Sequence, residues 1–151
     1  MALFYLETSA LVKLYIREPG TETLLRLVRR EHNHRFAILT VAEVELRSAI
    51  RRRERSGDIE RDVATDLIRR FAGHLESKFA RQPFNETVLQ TACVLIDSYP
   101  LRAYDAVQLA GCLVLRETAG TDGPVFVCAD AQLLEAANRL KVSTMNPAAE
   151  A

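Results

Sequence analysis

Four carboxylates, Glu7, Glu45, Asp105 and Asp130, stand at the edges of apolar segments spread across 151 residues. Glu7 follows the run ALFYL and Glu45 lies in LTVAEVELRSAI. Asp105 opens the apolar stretch of LRAYDAVQLAGCLVL, and Asp130 follows VFVCA. An isolated carboxylate is expensive to bury unless it is paired, hydrogen-bonded or bound to a metal. Brought together, the four would repel one another without a cation between them. A hard divalent cation such as Mg2+ or Mn2+ takes oxygen ligands and suits such a cluster. The chemistry implied is metal-assisted hydrolysis of a phosphodiester.

Each acid also has a purely structural alternative. Glu7 and Asp130 sit where a helix N-terminus favours an acid, and Asp130 has the position of an N-cap. Asp105 has Arg102 one turn before it and Gln108 one turn after, so a salt bridge to Arg102 is its alternative. Glu45 must be separated from Glu43. At about 100° per residue, Glu43 shares a face with Arg47, Arg51 and Glu54 and can pair with Arg47. Glu45 points the other way, among Val41, Ala42, Ser48 and Ala49, with Arg52 further along as its structural partner. Asp66, Asp97 and Asp122 read as structural or solvated.

The elements that must position these acids are short apolar strands alternating with helices. Strands are expected at residues 2–6, 35–39, 79–83 and 125–128, with a possible last one at 142–144. Helices are expected over about 10–16, capped by Thr8 and Ser9, then 21–31, and 41–55, capped by Thr40. Others run from near Asp58 to 72 or 75, over 87–98 capped by Asn85, over 102–118 beyond the break at Pro100, and over 130–140. That alternation signals an α/β sandwich with a mostly parallel sheet. Sites in such sheets form beyond the carboxyl ends of the strands, where Glu7 and Asp130 fall. One domain is expected over 1–145, with a loose tail at 146–151.

Composition narrows the class without naming a partner. Lys+Arg and Asp+Glu balance at 20 each, with 48% hydrophobic residues, as in an ordinary globular protein. Of the 20 cations 17 are Arg, several in clusters such as Arg51-Arg52-Arg53. Arg suits phosphate through its planar fork, and solvated helix faces are the plain alternative. Cys93, Cys112 and Cys128 form no CxxC and read as reduced, buried thiols of a cytoplasmic protein. His32, His34 and His74 lie in polar surroundings and read as surface residues. There is no 18-residue apolar run to cross a membrane, no Walker A loop, no GxGxxG and no GxSxG. Ser9 lacks a histidine in an apolar frame to activate it.

The segments FYLETSALVKLYIREPG, LTVAEVELRSAIRRRERSGDI, LRAYDAVQLAGCLVL and VFVCADAQLLEAANRLKV resemble, in order and spacing, the PIN domain, in particular the VapC-like toxins of toxin–antitoxin pairs. The resemblance implies a three-layer α/β/α nuclease with a carboxylate-lined metal pocket. The family's acids fall on Glu7, Glu45, Asp105 and Asp130, and its small hydroxyl falls on Thr8, with Ser9 beside it. One departure is that Glu7 replaces the usual Asp. Its extra methylene would shift the metal or favour a water-bridged contact, at some cost in activity or with a preference for Mn2+. The implied activity is metal-dependent endoribonucleolytic cleavage, with Thr8, Ser9, Arg102 and an Arg cluster toward the RNA. The implied partners are an RNA substrate, a small antitoxin and a second copy in a homodimer. A weakened module that binds RNA or protein without cleaving, and a DNA-directed nuclease, are the alternatives.

Overall fold

The computed structural model describes residues 2–30, 33–120 and 122–149. Five strands, β1 (Ala2–Leu6), β2 (His34–Leu39), β3 (Phe79–Gln82), β4 (Pro124–Val127) and β5 (Ser143–Met145), form one sheet in the order β3-β2-β1-β4-β5. All four neighbouring pairs are parallel. The helices are α1 (Thr8–Leu11), α2 (Thr21–Arg29), α3 (Ala42–Arg55), α4 (Arg61–Ser77), α5 (Glu86–Ser98), α6 (Ala103–Thr118) and α7 (Ala131–Arg139).

Side chains alternate across a strand, and the strands here are covered on both faces. Phe4, Leu6, Phe36, Ile38 and Val127 pack on one side with residues of α1 to α4. Tyr5, Ala37, Leu39 and Phe126 pack on the other with residues of α5, α6 and α7. The sequence therefore reads as continuous apolar runs, and the result is the expected three-layer α/β/α sandwich. No helix among the described residues is long and apolar enough to cross a membrane.

The strand order positions the site. The chain winds outward from β1 through β2 to β3, then returns to β4 beside β1. The direction of winding reverses between β1 and β4, and a crevice opens beyond their carboxyl ends. The β1–β4 pairing extends one step into that crevice, where the Glu7 N–H bonds the Val127 carbonyl at 3.0 Å.

Several local expectations need correction. Glu7, not Thr8 or Ser9, caps α1, because its carboxylate reaches the Ser9 N–H at 2.9 Å. The helix is one short turn and continues as a 3-10 turn at Val12–Leu14. Thr40 does not cap α3; its hydroxyl accepts from the Phe84 N–H at 3.0 Å and ties the ends of β2 and β3 together. Arg61 opens α4 after Glu60, three residues beyond Asp58. Glu43 pairs with Arg81 at 3.4 Å rather than with Arg47, since β3 brings that guanidinium alongside. Cys93 is exposed, because α5 turns Val88, Ala92 and Leu95 inward.

Two histidines also differ from the surface expectation. His74 is half-buried, with its Nδ1 2.7 Å from the Tyr15 hydroxyl. His34 is half-buried and edge-on to Phe4, with ring centroids 5.1 Å apart. His32 lies outside the described residues. The expected tail begins with Asn146; Pro147 is buried against Gly20, whose positive φ of 97° gives it the left-handed turn.

Candidate active site

Glu7 enters the crevice from the end of β1 and is only 5% exposed. Its carboxylate accepts hydrogen bonds from the backbone and the hydroxyl of Ser9. The Ser9 hydroxyl in turn accepts from the Ala129 N–H at 3.1 Å, which joins the ends of β1 and β4. Burial pushes the Glu7 pKa up from its ordinary value; the Ser9 hydrogen bonds oppose this, and the Glu45 charge adds to it.

Glu45 projects from the first turn of α3 toward α1. One oxygen, Oε1, accepts from the Thr8 hydroxyl at 3.0 Å and from the Gln108 amide at 2.8 Å. The same Gln108 amide donates to the Thr8 hydroxyl at 2.9 Å. The other end of Gln108 is fixed as well. The Tyr5 hydroxyl lies 2.8 Å from its backbone carbonyl and 3.1 Å from its side-chain oxygen. Tyr5 can come this close to α6 because position 111 is glycine; a Cβ there would stand 2.5 Å from the Tyr5 hydroxyl. A chain Tyr5–Gln108–Thr8–Glu45 thus crosses from the sheet through α6 to α3.

Asp105 lies at the start of α6 and Asp130 caps α7, accepting from the Leu133 N–H at 2.9 Å. The cap reading of Asp130 holds. Asp105 is half-buried, and Asp130 is exposed. Burial raises the Asp105 pKa, the Asp130 charge raises it further, and Arg102 counteracts both. Arg102 does not close an ion pair on Asp105 within 4 Å, and Arg52 closes none on Glu45. None of the four acids is ion-paired among the described residues.

The acids are linked electrostatically in two pairs: the Glu45 charge acts on Glu7, and the Asp130 charge acts on Asp105. Among the described residues no three His, Cys, Asp or Glu side chains are arranged to hold one metal ion. The donor chemistry nevertheless fits a hard cation. Every candidate ligand is a carboxylate oxygen, none closes an ion pair with Lys or Arg among the described residues, and burial and like charge disfavour two of them as bare anions. Thr8 is buried and Ser9 half-buried, with both hydroxyls committed to orienting Glu45 and Glu7. Arg102 is exposed at the N-cap position of α6.

The PIN domain model matches residues 4–143, which include all four acids. The chain belongs to the PIN domain family. Among curated proteins this PIN domain is similar to ribonuclease VapC46 of Mycobacterium tuberculosis, 30% identical over 147 residues, 97% of this chain and 99% of that one. Its fold matches a toxin–antitoxin complex from Klebsiella pneumoniae, with a TM-score of 0.66 at 14% identity over 97% of this chain and 98% of that chain. It also matches VapBC2 from Rickettsia felis bound to a promoter DNA fragment, with a TM-score of 0.61 at 13% identity over 95% and 98%.

Gln108, Tyr5 and Gly111 are the site-shaping residues that sequence reasoning did not single out. The available signal was Gln108 itself, a polar amide inside the apolar helix AVQLAGCLVL. A buried amide must find partners, and the nearest groups needing orientation were the acids.

Proposed function

We propose that this PIN domain is a metal-dependent endoribonuclease acting as the toxin of a toxin–antitoxin pair in the cytoplasm. What supports this reading is that Glu7 with Glu45, and Asp105 with Asp130, sense each other's charge while none of the four closes an ion pair with Lys or Arg among the described residues. The kinship with ribonuclease VapC46 supports RNA as the substrate, and the toxin–antitoxin complexes of like fold support a small antitoxin. The exposed apolar side chains Leu89 and Ile96, two turns apart on one flank of α5, support burial of that flank against a second copy.

Glu7, Glu45, Asp105 and Asp130 would hold Mg2+ or Mn2+. When bound, the ion supplies an activated water and neutralises charge on the phosphate. The chain's own groups do the rest. Gln108 and Thr8 fix Glu45 in one rotamer, and Ser9 fixes Glu7. One of the four carboxylates would take a proton from the attacking water.

Cleavage of a fluorescent single-stranded RNA with Mg2+ or Mn2+, repeated with chelator and with unlabelled single-stranded DNA as competitor, tests the proposal. Cleavage that chelation abolishes and RNA alone competes for is the expected outcome. Cleavage indifferent to chelator would remove the metal, and preferential competition by DNA would reassign the substrate. Intact RNA binding with no cleavage under any metal would make the chain a binding module.

The Gln108 bridge yields a separate prediction. Gln108→Leu keeps the volume but removes both donors to Glu45 and Thr8. Cleavage should fall about 10–100-fold, as when the groups orienting a metal ligand are lost. Unfolding by urea should show a loss of about 1–3 kcal/mol for the unpaired buried acceptors. A variant cleaving at the parental rate would show that Glu45 needs no such support.

A further inference from the structure

Glu7 and Glu45 each commit one carboxylate oxygen to the protein and keep the other. Both hydrogen bonds from Ser9, its backbone N–H and its hydroxyl, end on Glu7 Oε2. Both of Glu45's donors, the Thr8 hydroxyl at 3.0 Å and the Gln108 amide at 2.8 Å, end on Oε1. Each oxygen of an ionised carboxylate offers two lone pairs, so two donors fill it. Glu7 Oε1 and Glu45 Oε2 receive no N–H or O–H donor among the described residues. The Cys128 thiol also lies against the Glu7 carboxylate, and a thiol is a weak donor. Asp130 shows the same division in part, with the Leu133 N–H on Oδ1 alone.

The donors that fill these oxygens are themselves fixed by the fold. The Ser9 hydroxyl accepts from the Ala129 N–H at 3.1 Å while it donates to Glu7. It cannot swing away without leaving that N–H unpaired. Gln108 is buried, and the Tyr5 hydroxyl holds its side-chain oxygen at 3.1 Å, so the amide turns its nitrogen toward Glu45. Turning the amide over would set one oxygen against another. Thr8 accepts from the same nitrogen at 2.9 Å, which leaves its own hydrogen for Glu45.

Resting on the metal-dependent reading, we propose that Ser9 and the Thr8–Gln108 pair confine Glu7 and Glu45 to one ligand oxygen each and thereby select a small octahedral ion against Ca2+. Chelation through both oxygens of one carboxylate needs a lone pair on each, and here one oxygen of the two is filled. Ca2+ takes about six to eight oxygens at about 2.3–2.6 Å and readily uses carboxylates through both oxygens. Mg2+ takes six at about 2.0–2.1 Å, keeps several waters and needs only one or two carboxylates. Mn2+ shares that octahedral oxygen preference. Carboxylates limited to one oxygen apiece satisfy the smaller ions and leave Ca2+ short of ligands. Ser9, Thr8 and Gln108 are then selectivity-determining residues that act through the acids. If they did no more than hold the acids upright, their loss would weaken every ion alike.

The test is displacement of Mn2+ from the full-length chain by Mg2+ or by Ca2+, followed by the electron paramagnetic resonance signal of the freed ion. The parental chain should release Mn2+ at lower concentrations of Mg2+ than of Ca2+. Ser9→Ala, Gln108→Leu and the isosteric Thr8→Val each free a lone pair on a committed oxygen. In each, the Ca2+ midpoint should fall about tenfold relative to the Mg2+ midpoint, the scale on which groups behind a ligand tune metal affinity. Ser9→Thr keeps both donors and should keep the parental ratio. A general loosening of the site weakens both ions and leaves the ratio where it was, and melting curves identify the variants that fold. Ca2+ displacing Mn2+ from the parental chain as readily as Mg2+ does overturns the proposal. A ratio unchanged in every folded variant also overturns it, and cleavage of RNA by the parental chain in Mg2+ then leaves the nuclease reading standing. A parental chain that never takes up Mn2+ removes the metal reading itself, and this assignment with it.

Discussion

Asp105→Asn should reduce RNA cleavage by about 10²–10³-fold while leaving the folded chain as stable as before. The rate loss is on the scale of removing one fixed charged group from a hydrolytic centre. The stability expectation comes from what Asp105 does not do. It accepts no hydrogen bond among the described residues, and burial and the Asp130 charge both disfavour its carboxylate. Asparagine has the same shape without the charge, so folding should change by no more than about 0.5 kcal/mol. Paired cleavage and melting measurements check this. An equal fall in both would mean that Asp105 is structural, and an unchanged rate would remove it from the reaction.

Gly111→Ala should destabilise the fold by overpacking the core beneath α6. The added carbon would lie 2.5 Å from the Tyr5 hydroxyl and 2.9 Å from Leu39 Cδ1. Both are fully buried, so neither can retreat into solvent. Overpacking of this kind costs about 1–3 kcal/mol. Alanine gains back about 1 kcal/mol of helix propensity. Displacing Tyr5 also breaks its bonds to Gln108, which costs about that much again. The net loss should lower the melting temperature by about 3–10 °C in a domain of this size. Tyr5→Phe removes the atom that collides, so the double variant should be less destabilised than the sum of the two singles. Strict additivity would show that the clash is relieved elsewhere.

These two substitutions mark where the sequence was legible and where it was not. The strands and their acids were readable because apolar runs such as ALFYL and VFVCA end abruptly at a charged residue. An α/β sheet gathers the ends of its central strands at one edge. Glu45 was separable from Glu43 by helical phase alone, and α3 turns it toward Thr8 as that phase requires. Partners across space were not readable. Nothing local announces that Arg81 from β3 would take Glu43, or that Thr40 would bond the Phe84 N–H instead of capping α3. The Tyr5–Gln108–Glu45 chain joins residues 103 and 63 positions apart, and the β1–α6 packing that Gly111 permits brings Tyr5 into reach of Gln108. Lys13 and Tyr104 were likewise hidden. A lysine in LVKLY and a tyrosine in RAYDA look ordinary until the fold buries one beside Glu18 and leaves the other bare.

The grouping of acids as two uncompensated pairs makes a commitment that reaches beyond any single substitution. Burial and a neighbouring like charge disfavour the Glu7 and Asp105 carboxylates, and an ion that relieves this cost must bind the native chain in preference to the unfolded one. Electron paramagnetic resonance of Mn2+ titrated into the purified chain tests this most directly. Saturable loss of the free-ion signal with the parental protein, and its return in Asp105→Asn and Glu45→Gln, is the predicted result. A free-ion signal undiminished by the parental protein at any concentration would contradict it.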